Sequence, residues 1–354
     1  MQRLRGLNFG GWFSQIDAIK EKDPQTFPGI DKHMESFLGD EDFAQVAAWG
    51  FNHVRLPIDH YLFFTDDDKP IEHRLALLDR AVEYASANGL RLILDLHECP
   101  GHDFSETSQV PVQLLFADKR YLQKTEKIWA TLASRYAHHD HLLFEVLNEP
   151  VAPTPQIWND IKDALCKQIR RCAPQTPIIT GSNMWNWPSQ FASLTPVEVD
   201  NVIYTFHFYE PLLFTHQHAP WISEPEINAT RDYPSDYGPG FVRKYDLVMS
   251  DGRWDRSRME RELMPVVAFG EKYGVDIICD EFGVYAPVPL AAQLRWLDDL
   301  LSLLQQRDIG FSYWNYKNLD FGIISRGEKL HEKLSQYDNP QRINHDVLRV
   351  LQNR

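Results

Sequence analysis

Short apolar runs alternate with longer amphipathic stretches along the whole chain, and that alternation predicts repeated strand–helix units. The apolar runs predict strands at Leu4–Asn8, His53–Leu56, Leu90–Leu96, Leu142–Leu147, Ile178–Thr180, Val202–Phe206, Asp276–Cys279 and Gly310–Tyr313. Between them, Ile71–Asn88, Arg120–Tyr136, Pro155–Cys172, Ser257–Tyr273 and Pro289–Arg307 repeat apolar residues near i, i+3 and i+4, the spacing of a helix with one buried face. Only between the fifth and sixth strands is the helical pattern weak. Eight strands separated by helices predict a single (β/α)8 barrel of the TIM type over residues 1–354, with its chemistry on the loops that follow the strands. The stretch from Glu210 to Asp255 is too long for an ordinary connection and is rich in Pro, Tyr, Trp and Gly. An insertion of that kind is expected to form an ordered wall or lid beside the site.

Charge narrows the partners. Against 50 Asp and Glu stand 36 Lys and Arg, a formal net charge of −14. That balance disfavours a nucleic-acid backbone or an anionic membrane, and leaves a neutral or cationic ligand. The chain has no run of 18 apolar residues, and MQRLRGLNFGGW at its start lacks a leader-like apolar core. The expectation is a cytoplasmic protein as given, or a secreted one if a leader was removed. Cys99, Cys166, Cys172 and Cys279 have neither CxxC spacing nor the density of a disulfide scaffold. Without repeats, coiled-coil stretches or amphipathic tails, the chain reads as a monomer and not as a scaffold.

The strand ends carry the chemistry. Glu149 closes the apolar run FEVLNEP (Phe144–Pro150), and Glu281 closes IICDEFG (Ile277–Gly283). A carboxylate at the carboxyl end of a barrel strand faces the mouth. Arg55 lies inside an apolar strand, a costly place unless an acid receives it. Asp95 and His97 share one side of the third strand by period-two alternation, and His207 and Tyr209 share one side of the sixth. Of Asp280 and Glu281, only one shares the direction of Cys279. Trp314 ends the eighth strand and could floor a sugar ring. His97, Glu98 and His102 invite a metal reading, but the zinc-protease pattern needs histidines four apart on a helix, and Pro100 and Gly101 intervene here. No metal and no organic cofactor is expected. Singly, Asn148 and Glu149 read as a cap or a surface ion pair, and His207 as a core histidine. Polar ends on so many strands point instead to one cavity.

Together, GLNFGGW (Gly6–Trp12), the Arg55 strand, His97, LNEP (Leu147–Pro150), HFY (His207–Tyr209), EFG (Glu281–Gly283) and WNY (Trp314–Tyr316) resemble glycoside hydrolase family 5, the cellulase family. The segment His207–Trp221 is most similar to bacterial endoglucanase-type members. The resemblance implies retaining cleavage of a β-linked glucan, with Glu149 as acid/base and Glu281 as nucleophile. It gives Arg55, His97, Asn148, His207, Tyr209 and Trp314 supporting roles. Arg55 beside Glu281 is then expected to hold the nucleophile ionised. Trp12, Phe104, Trp185, Trp187 and Trp221 are candidate rings for further sugar subsites. An exo-acting β-glucosidase or β-1,3-glucanase, or a β-mannanase, would use the same scaffold. A catalytically inactive carbohydrate-binding protein is the alternative outside the enzyme class, and retention of both glutamates argues against it.

Overall fold

The computed structural model describes residues 2–22, 27–103, 113–243, 247–326, 329 and 331–354. Eight parallel strands close on themselves: β1 (Arg5–Asn8), β2 (His53–Asp59), β3 (Arg91–Glu98), β4 (Leu142–Glu145), β5 (Ile178–Gly181), β6 (Val202–Phe208), β7 (Ile277–Phe282) and β8 (Gly310–Tyr313). Neighbours in sequence are neighbours in the barrel, and β8 pairs with β1 to complete it. Five strands run one to three residues past the predicted ends, because the mouth residues keep the ladder going where the apolar signal stops; β1 and β8 end as predicted, and β4 stops two residues short.

The principal helices are α1 (Asp40–Ala48), α2 (Glu72–Ala87), α3 (Lys119–Tyr136), α4 (Pro155–Cys172), α5 (Arg256–Tyr273), α6 (Leu290–Gln306) and α7 (His345–Gln352). Local chemistry sets their ends. Thr154 caps α4 by accepting from the Ile157 N–H, with Pro155 pre-set for the first turn. Asp255 caps α5 through the Arg258 N–H, and Gly274, at φ 64°, ends it in the left-handed conformation that glycine adopts at least cost. Between β5 and β6 only the short turns Asn183–Asn186 and Pro188–Ser193 form, as the weak periodicity there implied. No described helix is long and apolar enough to cross a membrane.

Period-two alternation stacks the barrel interior in layers. Leu4, Ile93, Leu143, Ile179, Ile203 and Ile278 form an apolar floor separate from the larger core between sheet and helices. Two residues further along their strands come Asp95, Glu145, Thr205 and Asp280, all fully buried. A polar storey thus rests on an apolar one, directly under the mouth.

Candidate active site

Arg55 is the hub of the polar storey. Its Nε and Nη2 donate to the two oxygens of Glu145, each at 2.7 Å. Nη1 donates to Asn8 Oδ1 at 2.9 Å and to Glu281 Oε2 at 3.1 Å, while Nη2 also reaches Asn148 Oδ1 at 2.9 Å and Asp95 Oδ2 at 3.0 Å. Burial alone would depress the guanidinium, but Asp95, Glu145 and Asp280 outweigh it and hold Arg55 above its ordinary value. Four carboxyl groups share this one cation.

Glu149 follows β4 with φ at 44°, in the left-handed region that non-glycine residues seldom occupy. Its Oε1 meets His207 Nδ1 at 2.8 Å. Glu281 accepts from the Tyr209 hydroxyl at 2.9 Å. Strict alternation would send Asp280 and Glu281 to opposite faces of β7. Instead the β6–β7 ladder slips, pairing Cys279 with Phe206 and Glu281 with His207, and both acids turn inward. Asp280 Oδ1 lies 3.2 Å from His207 Nε2. One carboxylate oxygen of Glu149, one of Glu281 and a nitrogen of His207 all lie within 4.8 Å of one another.

Burial raises Glu281 above the ordinary carboxylate value, His207, Arg55 and Tyr209 pull it back, and Glu149 adds to the rise. Arg55 thus acts on Glu281 in the expected direction, toward the ionised form, while burial works against it. Arg55 commits its fork to Glu145, so the charge left for Glu281 does not overcome desolvation. Burial lifts Asp95 well above its usual value and Glu145 to about 7. His97 is held well below its ordinary value, first by burial and then by Arg55 and His207, so its ring is neutral.

His97 meets Asp95 through Nδ1 at 2.8 Å and lies parallel to Trp314 at 5.8 Å. Asn148 accepts from Arg55, while its Nδ2 is buried with no hydrogen-bond partner among the described residues. The indole of Trp314 packs over Gly10, where a Cβ would lie 2.4 Å from the ring, so no other residue fits there. All eight predicted site residues therefore converge.

A cleft of about 870 Å³ opens above them. Gln15, Asp17 and Tyr61, from the segments after β1 and β2, and Glu98 at the end of β3 line it, as do Met184, Trp185 and Trp187 from the loop after β5. Counting round the closed barrel, those two groups lie on opposite sides of the line from β4 to β7. Residues 210–255 contribute Leu212, His216, Trp221 and Met249 to the wall. Trp12 does not reach the cleft: it is buried, stacked on Phe13 and bonded through Nε1 to the Met34 carbonyl. Phe104 falls outside the described residues.

His97, Glu98 and His102 do not converge on a metal site. His102 is turned to the Asn148 carbonyl at 3.1 Å. The tightest donor sets, Glu145 with Asp280 and Glu149 with Glu281, both run through His207. His207, shared by both sets, is held well above its ordinary value, because Glu281, Asp280 and Glu149 outweigh the cost of burying its charge.

A family model for cellulase, glycosyl hydrolase family 5, matches residues 19–320. The chain belongs to that family. As a family 5 glycoside hydrolase it is 34% identical to endoglucanase C of Acetivibrio thermocellus over 335 residues, 92% of this chain and 94% of that one. It is 34% identical to cellodextrinase A of Ruminococcus flavefaciens over 298 residues, covering 83% and 79%. Endoglucanase Cel5A from the hyperthermophilic Thermotoga maritima has the same fold, with a TM-score of 0.75 at 23% identity over 98% of this chain and 96% of its own.

Three residues of this family 5 site went unassigned in the sequence. Asn8 bridges Arg55 to the backbone carbonyls of Asp280, Ser312 and Tyr313. Glu145 and Asp280 complete the cluster. Glu145 bore the same mark that exposed Arg55, a charge inside an apolar strand.

Proposed function

We propose that the protein hydrolyses β-1,4-linked glucan at internal linkages with net retention, Glu281 acting as nucleophile and Glu149 as acid and then base. The observation that carries this reading is the approach of the two carboxyl groups to within 4.8 Å of each other. Retaining sites hold their carboxyls about 5–5.5 Å apart, whereas inverting sites leave about 6.5–9.5 Å for a water. Glu281 attacks the anomeric carbon while Glu149 protonates the departing oxygen. Glu149 then takes a proton from water, which attacks the same carbon and releases Glu281. The free Nδ2 of Asn148 is the donor for the sugar 2-hydroxyl, and Trp314 lies beneath the ring. Lining residues on both sides of the pair leave room for chain in each direction, which favours internal attack. The names of the relatives, endoglucanase and cellodextrinase, support a β-glucan substrate.

The test is to digest cello-oligosaccharides, mixed-linkage glucan and mannan, and to follow the first-released anomer by NMR. The β-anomer and a spread of oligosaccharide lengths from the glucans are expected. The α-anomer first would overturn retention, and glucose alone would overturn internal attack. Glu281→Ala should abolish turnover with the fold intact.

A further inference from the structure

We propose that Asp280 is a positioning residue that keeps the His207 imidazole protonated on both nitrogens, and that this imidazolium fixes which oxygen of Glu149 carries the catalytic proton. The inference rests on Glu149 being the acid/base. His207 lies between two carboxyl groups: Nδ1 is hydrogen-bonded to Glu149 Oε1 at 2.8 Å, and Nε2 stands 3.2 Å from Asp280 Oδ1 in an ion-pair contact without hydrogen-bond alignment. A neutral imidazole protonated at Nδ1 would turn a bare Nε2 lone pair toward the Asp280 carboxylate, whereas the cation presents a positive N–H edge to both acids. Donation from Nδ1 occupies Oε1, so the acid proton of Glu149 resides on Oε2.

The other groups around the ring agree. Glu281 lies 3.9 Å from Nδ1, and Glu145 and Asp280 approach it closely from β4 and β7. Tyr209 follows just beyond the same strand, and the Arg55 guanidinium stands 3.9 Å from Asp280. Asn186, beyond β5, places its amide 3.3 Å from Nε2 and can turn its oxygen toward an N–H there. Asp280 is fully buried, yet His207 and Arg55 outweigh the burial and hold its carboxyl below the usual range.

Asp280→Asn keeps the shape and removes the charge. If Asp280 holds the proton on His207, the variant loses that proton in the working range. Glu149 and Glu281 then lose a near positive charge together with a farther negative one. Both limbs of the kcat/KM profile should move to higher pH by roughly one unit. If Asp280 is merely one more carboxylate, its removal moves both limbs to lower pH; a profile lowered in height but unmoved marks a structural role. Either result overturns the proposal. Nitrogen NMR of the parent decides independently of whether the variant folds: both His207 ring nitrogens should stay protonated at pH 8, and a neutral ring at pH 7 would overturn it. An inactive Glu149→Gln with an unmoved Asp280→Asn profile would sink this inference alone, whereas an active Glu149→Gln would sink the functional reading beneath it.

Discussion

Arg55 and Glu145 face each other through a two-pronged pair, 2.7 Å for each N–H···O contact, inside the barrel and out of reach of water. Glu281, the proposed nucleophile, receives only a third contact from the same guanidinium, at 3.1 Å. The strongest ion pair of the site is therefore structural, and it aims Arg55 at the groups that do the chemistry.

Removing Glu145 leaves a buried cation short of its main partner. Glu145→Ala should cost about 3–5 kcal/mol of unfolding free energy, the range for breaking one side of a buried pair. Denaturant unfolding measures it, and a loss below about 1 kcal/mol would show that Asp95 and Asp280 suffice to hold Arg55.

Glu149→Ala separates protonation from nucleophilic attack. On cello-oligosaccharides, whose leaving group needs a proton, the rate should fall by about 10²–10⁴. A dinitrophenyl glycoside leaves without one and should be spared in the first step, and azide should restore turnover of the trapped intermediate. Equal losses on both substrates would remove Glu149 from the acid role.

The sequence exposed the site unevenly, for physical reasons. Arg55 stood out because a charge inside an apolar run must be received by something. Glu145 carried the same signal but sits within a string read for its carboxyl end. Asp280 faces inward by ordinary alternation from Ile278, but the slip in the ladder that brings Glu281 in beside it is something period-two alternation, which admits only one of two adjacent acids, cannot register. Trp12 looked like a ligand ring because indoles suit sugars, but its N–H is taken by a buried carbonyl. The rise of Glu281 was illegible because it depends first on burial and then on the balance of His207, Glu149 and Arg55 around it. Barrel order, by contrast, followed from eight apolar runs whose connections hold the helices, since successive parallel strands so joined lie side by side.

Trp185 and Trp187 line the cleft beyond the catalytic pair, and Trp187 Nε1 has no acceptor among the described residues. Each ring borders the cleft and is a candidate apolar face for a sugar ring. Trp187→Ala should lower kcat/KM on cellohexaose by roughly 5–10-fold, the worth of one lost stacking contact. An aryl glycoside too short to reach the ring should be unaffected. Equal loss on both would mean that the ring supports the loop instead of the substrate.

The opposite end of the cleft is acidic and sets a pH dependence of stability. Asp59 is fully buried and accepts from the Gln15 N–H at 2.7 Å and the Tyr61 hydroxyl at 3.3 Å. Burial raises it to about 7, with Asp103 and Asp17 adding to the rise, and Glu98 beside it is pushed up to about 9. Unfolded, Asp59 titrates near an ordinary aspartate, at about 4. Between roughly pH 4 and 7 the folded chain keeps a proton that the unfolded chain has lost, so this contribution is full below that window and disappears as pH rises through it. Asp59→Asn cannot ionise, and its amide oxygen still accepts from Gln15. The variant should therefore match the parent near pH 4 and exceed its Tm at pH 8 by about 2–4 °C. Thermal melts across that range decide the matter: a variant less stable than the parent at pH 8 would mean that the carboxylate's hydrogen bonds outweigh the cost of burying its charge.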